Sequence, residues 1–168
     1  MKHHALRAQA LRVGAASLAM AMIAGAGAAQ AATATATMSV SASIGGTCTV
    51  GGATMSFGSY ASTTASTANG SIQVTCSNGT NATVVLNQGA NNNRAPSYAT
   101  RALNNGTNYL GYDIYTDNAF GTIWNTAAPQ PITSTGAPIT LTAYGRIPSG
   151  QNPATGSYND TVTITVNF

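Results

Sequence analysis

The sequence predicts an all-β fold, a β-sandwich assembled from short strands, and three observations lead there. Thr, Ser, Asn and Gly dominate the chain beyond its first thirty residues, and they favour strands and turns over helices. Apolar residues recur with period two, and no window carries a capped 3.6-residue apolar period. Turn-forming clusters separate the alternating runs at short intervals, the pattern of an immunoglobulin-like sandwich.

The elements follow in order. Residues 1–31 read as a secretory signal peptide. Lys2, Arg7 and Arg12, with His3 and His4, make a positive start, and an apolar stretch runs from Val13 to about Ala28. Ala29-Gln30-Ala31 then fits a small-x-small cleavage site. A transmembrane helix would need a longer, more apolar stretch than one holding Gly14, Gly25 and Gly27. Cleavage after Ala31 leaves residues 32–168, which suits one domain.

Residues 32–46 are a separate extension. Ala32, Ala34, Ala36, Met38, Val40, Ala42 and Ile44 are apolar, and every residue between them is Thr or Ser. That is long for one strand, against a typical five or six residues. Gly45-Gly46 follows as a flexible joint, and the domain is read over residues 47–168.

Within the domain, Ile72, Val74 and Cys76 alternate with Ser71, Gln73 and Thr75. Ala82 to Leu86 is a short buried-strand candidate. Arg101-Ala102-Leu103 and Tyr109 to Tyr115 flank Asn104–Asn108 as a hairpin. Ile139 to Gly145 is a further strand and Thr161 to Phe168 the last, while Gly51-Gly52, Gln88–Pro96 and Pro129–Pro138 read as loops. In the last strand Val162, Ile164, Val166 and Phe168 alternate with Thr161, Thr163, Thr165 and Asn167, with nothing expected to cover its far edge.

An uncovered apolar edge is a liability in an exported protein, and a detached amphipathic strand is its complement. Either the chain's own extension folds back, or a neighbour's extension fills the gap by β-augmentation. The second contact is head-to-tail and does not close, so it gives a filament. The plainer alternatives are a first strand of a closed sandwich and a disordered Ser/Thr-rich tail.

Charge narrows the function. The formal +3 comes from the first twelve residues, because Arg94, Arg101 and Arg146 balance Asp113, Asp117 and Asp160 in the rest. Beyond residue 31 there is no Lys, Glu or His. A basic phosphate-neutralising patch is absent, which argues against nucleic-acid binding. The usual acid–base groups and the commonest metal ligand are missing too, so no catalytic, cofactor or metal residues are assigned. Ser and Thr abound without a His base, which excludes a Ser-His-Asp hydrolase within this chain.

Other candidates have bland readings. The three aspartates read as partners of the three arginines rather than as a metal site, with Asp160 fixing a turn. Tyr109, Tyr112, Tyr115 and Trp124 read as core or half-buried strand residues rather than a sugar platform. Cys48 and Cys76, 28 positions apart in an oxidising compartment, read as one disulfide.

Several blocks of residues resemble a known family. They are Tyr144-Gly145-Arg146-Ile147-Pro148-Ser149-Gly150-Gln151 and Gly156-Ser157-Tyr158-Asn159-Asp160-Thr161-Val162-Thr163-Ile164-Thr165-Val166-Asn167-Phe168. Phe57-Gly58-Ser59-Tyr60, Gly70 to Cys76 and Leu110 to Asp117 join them. Together they resemble the spore coat protein U domain, the subunit family of archaic chaperone–usher pili. The resemblance implies an incomplete immunoglobulin-like sandwich completed by a donor strand, with no enzymatic activity and no cofactor.

It implies Met38, Val40, Ala42 and Ile44 as donor side chains, and Val162, Ile164, Val166 and Phe168 as the acceptor or chaperone-contacting strand. Cys48 and Cys76 match the family's disulfide between early strands. Implied partners are neighbouring subunits in a homopolymer or with related subunits, a periplasmic chaperone and an outer-membrane usher. The expected destination is a surface pilus, reached through the periplasm and serving cell adhesion and biofilm formation. The chain lacks room for the additional domain of a tip adhesin, so a shaft or minor subunit is expected. The runner-up reading is a self-complemented coat or surface-layer protein, or a carbohydrate-binding module.

Overall fold

Period-two alternation needs a partner on each edge before it becomes a sheet, and the pairing shows which runs found one. The structure, a computed structural model, describes residues 32–168. The predicted signal peptide lies outside them. The strands among the described residues are β1 (Cys48–Val50), β2 (Ser66–Cys76), β3 (Asn81–Leu86), β4 (Arg101–Asn104), β5 (Tyr109–Tyr115), β6 (Gln130–Thr133), β7 (Ile139–Ile147) and β8 (Ile164–Asn167). A short 3-10 turn at Asn92–Arg94 precedes β4.

Five strands form one sheet in the order β1-β2-β7-β5-β4, and three form the other in the order β6-β3-β8. All the pairings are antiparallel, the longest running from Ser66 opposite Ile147 to Val74 opposite Ile139 between β2 and β7. The result is the immunoglobulin-like sandwich that the sequence predicts.

The register sets the core. Ile72, Val74 and Cys76 point inward from β2, Ala82, Val84 and Leu86 from β3, and Leu110, Tyr112 and Ile114 from β5. Ala143 and Ile147 join them from β7, and Trp124 fills the centre with its Nε1–H donating to the Val84 carbonyl. The intervening Thr, Ser, Asn and Gln of β2 and β7 face solvent or lie half-buried, as period two requires.

The structure adds to the expected elements and corrects some of their bounds. Residues 32–44 carry no secondary structure in the lone chain and are exposed. Their ladder groups have no partner, and a lone strand does not hold itself. The last strand starts at Ile164 rather than Thr161, because β3 ends opposite it at Leu86. Residues 129–138 contain β6, whose Pro131 sits opposite Thr83. Proline is tolerated there because β6 is an edge strand with no ladder on its far side. Finally, Cys48–Val50 forms a strand too short to show alternation.

Candidate functional site

The site begins with β8. Thr163 accepts from the Asn87 N–H at 3.0 Å and Thr161 from the Ala90 N–H at 3.0 Å, so the odd residues of this segment turn their backbone groups toward the β3 side. In an antiparallel strand the next residues point theirs the other way. Val162, Ile164 and Val166 therefore direct both half-buried side chains inward and backbone groups to an edge with no sheet partner among the described residues.

The opposite rim is residues 53–57. The chain leaves β1 after Val50 and lies over the inner face of the larger sheet, where two inward positions are glycine. A Cβ at Gly70 would sit 3.2 Å from the Thr54 carbonyl oxygen, and one at Gly145 would collide with the side chains of Met55 and Phe57. Ser66 Oγ donates to the Phe57 carbonyl at 3.2 Å, and Phe57 packs edge-on against Tyr112 at 5.8 Å between ring centroids. Tyr60 anchors the end of this rim by donating to the Pro148 carbonyl at 2.9 Å and accepting from the Gln151 N–H at 3.1 Å.

A cleft of about 150 Å³ opens between the two rims. Ile72, Leu86, Tyr112, Ile114 and Ala143 line it, as do Val162 and Ile164. Beyond Phe57 it meets a wider depression of about 710 Å³ between residues 55–62 and 151–159, with Leu103, Leu110 and Ile147 among its lining and a largely Ser, Asn and Gly rim. Core residues that a complete sandwich would cover thus border an opening on this side.

Each predicted site residue has a place. Cys48 and Cys76 are bonded and directly opposite in the β1–β2 register, with their Cα atoms 4.0 Å apart. Val162, Ile164 and Val166 form the free edge, and Phe168 is exposed just beyond it. Met38, Val40 and Ile44 are 87%, 85% and 95% exposed, and Ala42 is exposed as well. Four large or moderate apolar side chains in water at period two have nothing to hold them there. Met55, Phe57, Tyr112 and Leu86 also line the cleft, and nothing in their local pattern distinguishes them from ordinary core residues.

The charges pair less than their balance implies. Among the described residues Arg101 alone meets an aspartate, Asp113, at 4.0 Å, and burial holds its guanidinium below the ordinary arginine pKa. Its Nε and Nη2 donate to the Asn87 carbonyl and Nη2 also to that of Trp124. Asp117 instead caps its own turn, accepting from the N–H groups of Ala119, Gly121 and Thr122, and these bonds, that from Gly121 first, hold its carboxyl below the usual range. Arg94 and Arg146 lie over the rings of Tyr109 and Phe120 at 5.9 and 5.4 Å. Asp160 accepts from the Tyr112 hydroxyl at 2.9 Å. Burial, then Asp160 beside it, raises the Tyr112 phenol far above its ordinary value. Trp124 is 1% exposed, which removes it from any sugar-binding surface.

Comparison with known proteins fits this geometry. The family model described as the Spore Coat Protein U domain matches residues 34–165. Protein U of Myxococcus xanthus is 35% identical over 144 residues, covering 76% of this chain and 80% of that protein. The fold is also similar to a chain in the crystal structure of the CsuC–CsuE chaperone–tip adhesion subunit pre-assembly complex from archaic chaperone–usher Csu pili of Acinetobacter baumannii. That likeness has a TM-score of 0.53 at 23% identity and covers 73% of this chain but 40% of the solved one. This chain therefore spans less than half of that one.

Proposed function

The chain belongs to the Spore Coat Protein U domain family, and from that premise we propose that it is a structural subunit of a surface pilus, polymerised by donor-strand exchange. The observation that carries the reading is an open cleft in a chain that also holds an exposed, alternating segment without a partner strand. On one side stand Val162, Ile164 and Val166, with inward side chains and free backbone groups. On the other stand Met38, Val40, Ala42 and Ile44, exposed and alternating.

The residues 32–46 of one subunit enter the cleft of the next and supply the missing strand. Donor and acceptor occupy different parts of the chain, so the contact repeats without closing and yields a fibre. Burying Val40 and Ile44 contributes about 1.5–3 kcal/mol each, and each new backbone hydrogen bond about 0.5–1.5 kcal/mol net. Ala32, Ala34 and Ala36 contribute less apolar area, which concentrates the anchoring on Met38, Val40 and Ile44.

Before assembly the same edge needs a temporary occupant. The Csu tip subunit is held by a chaperone in the complex named above, which supports a periplasmic chaperone here, followed by transfer to an outer-membrane usher. Residues 1–31 are the export signal, the fibre stands on the cell surface, and it serves adhesion and biofilm formation without catalysis.

Substituting Val40→Asp or Ile44→Asp tests the reading. The chaperone-bound subunit is expected to form normally while fibres disappear from the surface by electron microscopy. Normal fibres from either variant would overturn it.

A further inference from the structure

We propose that Asp160 is the positioning residue of the acceptor edge, clasping residues 160–163 to the 87–91 turn and to Tyr112 where no sheet partner exists. The proposal rests on the donor-strand reading above. The β3–β8 ladder stops at the Leu86–Ile164 pair, yet Val162 still lines the cleft in line with Ile164. Beyond that pair two backbone bonds remain, from the Asn87 N–H to the Thr163 carbonyl and from the Ala90 N–H to the Thr161 carbonyl, and the second is shared with the Asp160 carboxylate.

The carboxylate reinforces these two bonds with both of its oxygens. Asp160 Oδ1 accepts from the Ala90 N–H and from Asn91 Nδ2, each at 3.0 Å, while Oδ2 accepts from the Tyr112 hydroxyl. Thr163 N–H donates to Asn87 Oδ1 at 2.8 Å, and that oxygen also takes the Gly89 N–H at 3.0 Å. The Asn87 carbonyl is held in turn by the buried Arg101 guanidinium at 2.8 and 3.1 Å. The turn is thus fixed from beneath and the edge is fixed to the turn.

Gly89 shows that the fit is close. Its φ of +79° suits glycine, and a Cβ there would collide with the Asp160 carboxylate. Charge-assisted bonds are the stronger class, and one group receiving three donors needs two acceptor atoms set apart as a carboxylate sets them. An edge held in place before the donor arrives spares the ordering cost of holding it afterwards.

The test uses the mature chain, residues 32–168, and a fluorescein-labelled peptide of residues 32–46, with capture followed by anisotropy and amide exchange followed in parallel. Wild type is expected to capture the peptide. Asp160→Ala should weaken capture by about tenfold or more, the equivalent of 1.4 kcal/mol. Exchange at Ala90 and Thr163 should rise while the core amides of Val74 and Val84 stay protected. Asp160→Asn keeps an oxygen for Ala90 and Asn91 and should recover part of the capture. Gly89→Ala leaves the carboxylate present but displaced, should mimic Asp160→Ala, and decides the matter if that variant does not fold.

Wild-type capture by both Asp160→Ala and Gly89→Ala, or unchanged protection at Ala90 and Thr163, would overturn the clasp and leave the donor-strand reading standing. Core amides deprotected in step with lost capture would assign Asp160 a general structural role and overturn it too. A wild-type chain that captures no peptide would overturn the donor-strand reading itself, and the proposal with it.

Discussion

β2 and β8 carry the same alternation of apolar and hydroxyl side chains, but they end in different environments. In β2, Ile72, Val74 and Cys76 are 2%, 0% and 3% exposed, with β1 on one side and β7 on the other. In β8 and the residue pair before it, Val162, Ile164 and Val166 remain half-buried because β3 is the sole neighbour. The side chains are equally apolar. Period two chooses the face a residue presents, and a neighbouring strand decides whether that face becomes interior. The molecule therefore has a closed side, where both flanks of the strand are paired, and an open side, where one flank of the last strand has no sheet partner among the described residues.

The closed side should fail hardest. Trp124 is central to it, with its ring buried and its indole N–H bonded to Val84. Trp124→Ala is expected to cost about 3–5 kcal/mol, read as the shift in a urea unfolding curve. A loss below about 1 kcal/mol would mean that the sandwich core does not carry the isolated subunit, and the division into two sides would fall.

A matched pair of truncations sharpens the division. Ile72→Ala should cost about 2–5 kcal/mol in the isolated subunit, because its side chain is almost wholly out of water even though it borders the cleft. Ile164→Ala should cost about 1 kcal/mol there, since much of that side chain is already in water and little transfer energy is lost. On the proposed donor-strand exchange the two penalties should converge in the assembled fibre, where a donor would bury Ile164. Equal costs in the isolated chain, measured by denaturant titration, would show that β8 is already interior.

The same contrast explains what could be read from sequence. β2, β3 and β7 were legible from their alternation between turn signals, and the β4–β5 hairpin from the Asn104–Asn108 loop between two apolar runs, since Leu110 to Ile114 are buried on both faces. So was the apolar face of the C-terminal segment from Val162 onward. The cleft's other rim was not legible: Met55 and Phe57 work only because Gly70 and Gly145 lie beneath them, a tertiary coincidence that local pattern does not encode. β6 was hidden by Pro129, Pro131 and Pro138, which read as a loop until the edge position of the strand is known. Asp160 looked like a local turn former, whereas its donors Ala90, Asn91 and Tyr112 lie 70, 69 and 48 residues away. Charge counting matched three arginines to three aspartates, but among the described residues one such ion pair forms, Arg101 with Asp113 at 4.0 Å.

Tyr112 joins the two sides, and its titration gives the smallest expected effect. Its ring packs against Phe57 within the core, while its hydroxyl reaches Asp160 at the base of the open edge. Burial, and then the neighbouring carboxylate, raise the phenol above its ordinary value of 10.0. The unfolded chain therefore releases this proton near pH 10 while the folded chain keeps it. The associated stability is complete below that pH and is lost as pH rises above it, by up to about 1.4 kcal/mol per pH unit. Tyr112→Phe should cost about 1 kcal/mol at neutral pH through the lost hydrogen bond, and it should flatten the alkaline limb of a stability–pH profile. An unchanged alkaline limb would move that loss to Tyr115, whose phenol burial also raises, and would detach the hydroxyl of Tyr112 from the energetics of the open side.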